Sequence, residues 1–140
     1  MKKKTVYISL PVRGQEEYSR KRAEEIENHY RKMGFNVVNP HTVVDELRQI
    51  YGRNPTNSEI MSELLLRLGY SDFMALDKNW MNSWGVNYEI PWCTHHDIPI
   101  YEAMAPIRLK FNSKITNKVG GRERDESVLE PVKHSEPSIY

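Results

Sequence analysis

The sequence is poor in cysteine: Cys93 is the single cysteine in 140 residues. One cysteine excludes an internal disulfide framework and fits a reducing compartment. The sequence also lacks any apolar run of about 18 residues, the length that a transmembrane helix needs. The apolar run after the initial lysines is too short for a signal peptide. We therefore expect a cytoplasmic protein without a membrane partner.

An excess of charge of one sign is also missing. Lysine and arginine number 20, aspartate and glutamate 19, and the net charge is +1. Such a balance gives no electrostatic support for binding a nucleic-acid polymer or a membrane surface. The length favours one domain. We predict that it spans residues 1–118, and that residues 119–140, which lack a core pattern, form a tail that is mobile or packed on a neighbouring subunit.

The sequence does contain short apolar runs that alternate with helical patterns. Strands are predicted at residues 5–10, 35–39, 72–76 and 98–101, and a loose alternation at Leu109, Phe111 and Ile115 leaves an edge strand open. Helices are predicted at residues 15–33, 43–51 and 57–68 and around Glu89. The stripe expected to face the core in the first helix is Tyr18, Arg22 through its stem, Ile26, Tyr30 and Met33. Strand-helix-strand units of this length imply parallel pairing, so we predict a three-layer α/β domain with a four or five stranded, mainly parallel sheet.

Polar residues follow the first and third predicted strands. In open α/β sheets, ligands bind beyond the carboxyl ends of the strands. The turn after the first strand offers Ser9, a guanidinium and a glycine, which suits a phosphate or a sugar. The turn from Asp77 to Gly85 and the helix carrying Glu89 are expected at the same edge. A pocket with these groups suits a sugar or a nucleotide.

Two motifs resemble a known family. The segment YISLPVRG at residues 7–14, followed by an acidic helix and then by Ser83, Gly85 and Glu89 in the pattern S-x-G-x-x-x-E, resembles the nucleoside 2-deoxyribosyltransferases and the related 2'-deoxynucleoside 5'-monophosphate N-glycosidases. The spacing of Asp72, Trp80, Ser83 and Gly85 is similar to that in a phage and bacterial branch of unknown function. The resemblance covers about residues 4–102.

The resemblance implies a flavodoxin-like fold and covalent glycosyl transfer. Glu89 would attack the anomeric carbon of a deoxyribosyl group, and Tyr7 would lie beside it as a hydroxyl donor. The family uses neither a metal nor an organic cofactor, acts on a small nucleoside or nucleotide, and forms homo-oligomers. The candidate substrate-binding residues are Ser9, Pro11, Val12, Arg13, Gly14, Asp77, Trp80, Ser83 and Gly85.

The sequence departs from the family pattern at two positions. Leu64 stands where the family has an aspartate that assists departure of the base, and the neighbouring Glu63 replaces it only if the helix shifts register. Pro91 lies where the family's helix continues, so that helix must start late or bend. These departures leave open a non-catalytic nucleotide-binding module, or a structural or partner-binding protein, with the same fold.

Several residues also have a structural interpretation. Asp77 and Arg13 are also typical of solvated turns, and Tyr7 could be plain core. Trp80 could stack on a base or cap the core. His95 and His96 are adjacent and lack further ligands at metal-binding spacing, so no metal site is predicted. Cys93 is expected to be a buried thiol rather than a nucleophile.

Overall fold

A computed structural model describes residues 2–11, 16–83 and 85–111, apart from the side chain of Asn82. Over these ranges the strands are β1 (Thr5–Ser9), β2 (Asn36–Val38), β3 (Phe73–Leu76), β4 (Ile100–Glu102) and β5 (Arg108–Leu109). The α-helices are α1 (Glu16–Lys32), α2 (Pro40–Tyr51), α3 (Asn57–Gly69) and α4 (Val86–His95), and a short 3-10 turn covers Trp80–Asn82. The predicted tail at residues 119–140 lies outside the described residues, as does Ile115.

The strands form one five-stranded sheet in the order β2-β1-β3-β4-β5. The first four strands are parallel, and β5 pairs antiparallel with β4 at the edge. This confirms the predicted three-layer α/β domain with a mainly parallel sheet, and the strand order is that of the flavodoxin-like folds. The chain moves from β1 to β2 on one side and returns to β3 on the other, so the carboxyl ends of β1 and β3 flank the point where ligands bind in such sheets.

Both faces of the sheet are covered. Successive side chains of a strand point to opposite faces, so Val6 and Ile8 of β1 pack beneath α1 while Tyr7 points the other way. Tyr7 joins a larger core built with α2, α3 and α4. The side chain of every second residue in β1 therefore reaches the layer that contains α4.

The helix ends follow local sequence signals. Asn39 caps α2 by accepting a hydrogen bond from the His41 backbone N–H, and Pro40 takes the first helical position, where its missing N–H costs nothing. This start lies three residues before the predicted one. Thr56 caps α3 in a capping box with Glu59. Both caps fix the register of their helices.

The predicted core-facing stripe of α1 is confirmed at Ile26 and Tyr30 and is wrong at Tyr18 and Met33. In α1 the buried residues are Ser19, Ala23, Ile26 and Tyr30, whereas Tyr18 and Met33 are 53% and 60% exposed. The helix is rotated because small side chains let it approach the sheet, and because His41 satisfies the Ser19 hydroxyl. In α4 the late start that was expected from Pro91 does not occur, since the helix begins at Val86 and continues through Pro91 to His95; the alternative expectation, a bend, stays a prediction.

No helix in the part of the chain that the structure describes is long and apolar enough to cross a membrane.

Candidate active site

The centre of the candidate site is the carboxylate of Glu89, which is 1% exposed. The Tyr7 hydroxyl donates to its Oε2 atom at 2.5 Å, and the Ser9 hydroxyl donates to its Oε1 atom at 2.6 Å. Tyr7 and Ser9 are two residues apart in β1, so the period of the strand places both on the face that α4 covers. Each carboxylate oxygen therefore has a hydroxyl donor from the carboxyl end of β1.

The surroundings of Glu89 offset the cost of burying its charge. An ionised carboxylate loses several kcal/mol when it leaves water, and hydrogen bonds from donors to a charged acceptor recover part of that cost. Glu89 also lies in the first turn of α4, where the positive end of the helix dipole stabilises a negative charge. The two hydroxyls thus orient the carboxylate. Such a group is suited to nucleophilic attack or proton abstraction.

A second buried carboxylate, Asp77, directly follows β3 and is also 1% exposed. Its backbone N–H donates to the Ser9 carbonyl at 2.9 Å, which ties the ends of β1 and β3 together. Its carboxylate accepts from Arg22 of α1 at 3.1 Å, and Arg22 also reaches Glu25 at 3.0 Å. Asp77 therefore lies at the predicted edge of the sheet, where its carboxylate forms an ion pair with Arg22 of α1. The expectation that Arg22 contributes only its stem to the core is wrong.

The remaining predicted binding residues fall into three groups. Ser83 and Gly85 are buried directly before α4, with Gly85 at its N-cap, and Pro11 is buried at the end of β1. Trp80 is 4% exposed and packs edge-to-face on Phe111 in the main core, so the structure gives it the core role and not an open stacking surface. Val12, Arg13 and Gly14 lie outside the described residues.

Glu63 is not brought to the site. Its carboxylate accepts from Arg67 at 2.9 Å, and Arg67 also reaches Glu46 of α2 at 3.2 Å. Leu64 is fully buried in the main core, and the capping box at Thr56 fixes this register. The shift that would turn Glu63 inward therefore does not occur, because it would bring a charge into the core and expose a leucine.

A buried pair that the sequence analysis missed joins the beginnings of α1 and α2. Ser19 Oγ lies 2.8 Å from His41 Nε2, and both residues are buried. Burial, together with the positive charge of Arg20, lowers the pKa of His41 to about 4. One feature of the sequence could have indicated this pair: His41 directly follows the Asn39-Pro40 cap at the end of a strand. Ser9 is a predicted substrate contact, and its bond to Glu89 was not predicted, although Tyr7 and Ser9 share a face of β1.

The other reactive side chains do not add to the site. Burial and then the charge of Glu89 raise the pKa of the Cys93 thiol, so this cysteine stays protonated. Its sulfur lies 3.9 Å from that of Met74 in the core. Within residues 2–11, 16–83 and 85–111, no three His, Cys, Asp or Glu residues are grouped so that they could hold a metal ion.

A family model matches residues 4–101, and its description is "Domain of unknown function (DUF4406)". The chain belongs to the DUF4406 family. The matched segment contains β1 to β3, the first two residues of β4 and all four helices, so it includes Tyr7, Ser9 and Glu89. No curated protein matches this DUF4406 chain, and no solved structure does.

Proposed function

We propose that this chain breaks the N-glycosidic bond of a deoxynucleoside or of its 5'-monophosphate, by hydrolysis or by transfer of the deoxyribosyl group. The observation that carries this proposal is the buried Glu89 carboxylate at the carboxyl edge of β1 and β3, held by Tyr7 and Ser9. The similarity of residues 7–14 and 83–89 to the nucleoside 2-deoxyribosyltransferases supports it. As further parts of the proposal, the substrate is a small molecule, the protein acts in the cytoplasm, and it needs no cofactor.

In the proposed reaction, one Glu89 oxygen forms a bond to the anomeric carbon. The bond from that carbon to the base nitrogen breaks, and its electron pair leaves with the base, which takes up a proton from water. The resulting glycosyl ester is then resolved by water or by a second base. Ser9 is the last residue of β1 and Tyr7 lies two residues deeper. We therefore assign attack to the Ser9-bound oxygen, while Tyr7 keeps its hydrogen bond to the other.

The structure also offers an argument for a second candidate, a non-catalytic nucleotide-binding module. The position of the family's assisting aspartate is Leu64, which is buried in the core. Asp77, the other buried carboxylate at this edge, is paired with Arg22. A departing base would therefore receive no proton from these two positions, so a protein that binds nucleotides without cleaving them is the alternative.

The test is release of free base. The protein is incubated with each deoxynucleoside and each 5'-monophosphate, and the products are separated by chromatography. Glu89→Gln, which keeps the shape and removes the negative charge, should reduce release at least about 1,000-fold, as expected for loss of a nucleophile. Glu63→Gln is the matched control: it removes a carboxylate outside the site and should leave release unchanged.

Two results would contradict the proposal. Release that survives Glu89→Gln would identify a different nucleophile. If no substrate releases base while a nucleotide raises the melting temperature, the binding module is the correct function, because a ligand that binds only the folded state stabilises it.

A further inference from the structure

The two faces of the sheet are covered unequally. Helices α2, α3 and α4 pack on one face, whereas α1 is the single helix on the other face within the part of the chain that the structure describes. Because α1 packs mainly on β1 and β2, the same face of β3 and β4 extends beyond it. Parallel sheets of α/β proteins are normally covered on both faces. Part of this face therefore lacks the helix that such a fold usually provides.

A cavity with aromatic walls lies on this part of the sheet, and we call it the aromatic cavity. Its volume is about 290 Å³. Its walls include Lys4, Tyr30, Met33, Phe35, Phe73 and Tyr101. The four rings pack edge-to-face, with centroids 5.4–5.8 Å apart. Phe73 and Tyr101 are only partly buried and Met33 is 60% exposed, so apolar surface remains open to a partner.

Cations surround the aromatic cavity. Lys4 lies in its wall, and Arg108 stands directly opposite Tyr101 in the antiparallel pair of β4 and β5, so these two side chains share a face. Lys110 lies two residues further along, the spacing that returns to the same face of an extended chain. Among the described residues, no ion pair joins any of these three cations to a carboxylate. Glu102 of β4 faces the opposite side of the sheet.

The sequence beyond Phe111 contains a segment of complementary chemistry. Residues 125–132, which lie outside the described residues, read DESVLEPV and include three acidic residues but neither lysine nor arginine. Val128, Leu129 and Val132 supply aliphatic side chains. Carboxylates beside aliphatic groups match cations beside an aromatic cavity, and such complementarity selects one partner over others.

We propose that residues 125–132 bind the aromatic cavity of their own chain, with their aliphatic side chains among the rings and their carboxylates facing the cations. Phe111 directly follows the end of β5, and β3 lies two strand spacings, or about 10 Å, from β5. Roughly 14 residues separate Phe111 from Asp125, and they span up to about 45 Å when extended. The segment can therefore reach the cavity. The inference does not depend on the proposed glycosyl transfer.

The size of the cavity favours a segment of the same chain over a free molecule. Pockets for small ligands have volumes of about 300–1,000 Å³, so a cavity of about 290 Å³ supports only a weak contact by itself. A short link holds a segment of the same chain at an effective concentration on the order of millimolar. A contact of millimolar strength is therefore largely formed within one chain, whereas separate molecules at micromolar concentration stay apart.

The test is NMR spectroscopy of the full chain with a nitroxide spin label attached at Ser135→Cys. The native thiol of Cys93 is buried and stays protonated, so it does not take up the label. Compared with the same sample after reduction of the nitroxide, the label should broaden the backbone amide signals of Phe73 and Tyr101. It should leave the signal of Ile50 unchanged, because α2 packs on the other face of the sheet.

Variants of the spin-labelled chain identify the two partners of the contact. Leu129→Asp should weaken the contact about 10-fold or more, the effect expected when one leucine side chain is no longer buried, so the broadened signals should recover. Ile139→Asp is the matched control outside residues 125–132 and should leave the broadening as it is. Arg108→Glu places a charge of the same sign opposite the carboxylates and should also weaken the contact. It tests the cavity independently if Leu129→Asp fails to fold.

Three results would overturn the proposal. The first is that the signals of Phe73 and Tyr101 stay sharp in the spin-labelled chain. The second is an equal effect of Leu129→Asp and Ile139→Asp, since a different part of the chain would then be bound. The third comes from a mixture of spin-labelled chain with isotope-labelled chain that carries no nitroxide: broadening in this mixture would mean that the segment belongs to a neighbouring copy.

Discussion

The most informative perturbation is removal of the Tyr7 hydroxyl by Tyr7→Phe. Tyr7 is fully buried, and its hydroxyl donates to Glu89 at 2.5 Å. A hydrogen bond to a charged group contributes about 1.5–3 kcal/mol, and its loss leaves a buried carboxylate with one donor fewer. The ring itself stays in the core, so no cavity is created. We expect Tyr7→Phe to lower the free energy of unfolding by about 2 kcal/mol.

The size of the effect makes it measurable. For a chain of this length, 1 kcal/mol corresponds to about 4 °C in melting temperature, so Tyr7→Phe should lower the melting temperature by about 8 °C. Thermal and urea unfolding at neutral pH are the assays. Glu89→Gln gives the second arm: because it relieves the cost of a buried charge, we expect it to be neutral or stabilising while it abolishes base release.

The double variant tests whether the two residues act through each other. If the hydrogen bond forms as the structure shows, Tyr7→Phe should cost about 1 kcal/mol less in the Glu89→Gln background than in the wild type. Strictly additive effects would refute the reasoning, since they would mean that the hydroxyl and the carboxylate do not interact. A Glu89→Gln variant destabilised by several kcal/mol would show instead that the carboxylate serves the fold.

Two further predictions concern stability. The pKa of His41 is about 4 in the folded protein, against an ordinary value of 6.5. Between these two pH values the unfolded chain therefore binds more protons than the folded one. The protein should lose stability as the pH falls from 6.5 to 4. The loss in the free energy of unfolding approaches about 3 kcal/mol. Urea unfolding of the wild type and of His41→Gln should show a difference in pH dependence between the two proteins, and this difference should disappear above about pH 7. Thr56→Ala removes the capping box of α3 and should cost about 1 kcal/mol in the same assay, whereas Ser58→Ala, two residues further along in the first turn, should cost little. Equal effects would exclude a capping role for Thr56.

The helix and strand order could be read from the sequence because each element carries its own local signal. The β-branched run before Pro11 acts over a few residues, so the pattern alone predicts that strand. The Asn39-Pro40 cap is also a local signal, but the start of α2 was predicted three residues too late. The parallel sheet followed from the strand-helix-strand spacing. The strand order and the parallel pairing also placed Glu89 and the end of β1 at the same edge of the sheet.

What the sequence could not supply were contacts between residues distant in the chain. The bonds of Glu89 to Tyr7 and Ser9 span about 80 residues, and they depend on the register of α4 against β1. Two further pairs, Asp77 with Arg22 and Ser19 with His41, depend on the rotation of α1 about its axis. The positions of the apolar residues of α1 do not determine this rotation, because small and polar residues of the helix face the core. The sequence by itself determined which chemical groups reach the carboxyl edge of the sheet. Only the tertiary structure decided which of them are paired there, because pairing requires distances of about 3 Å that close packing sets and local propensity does not.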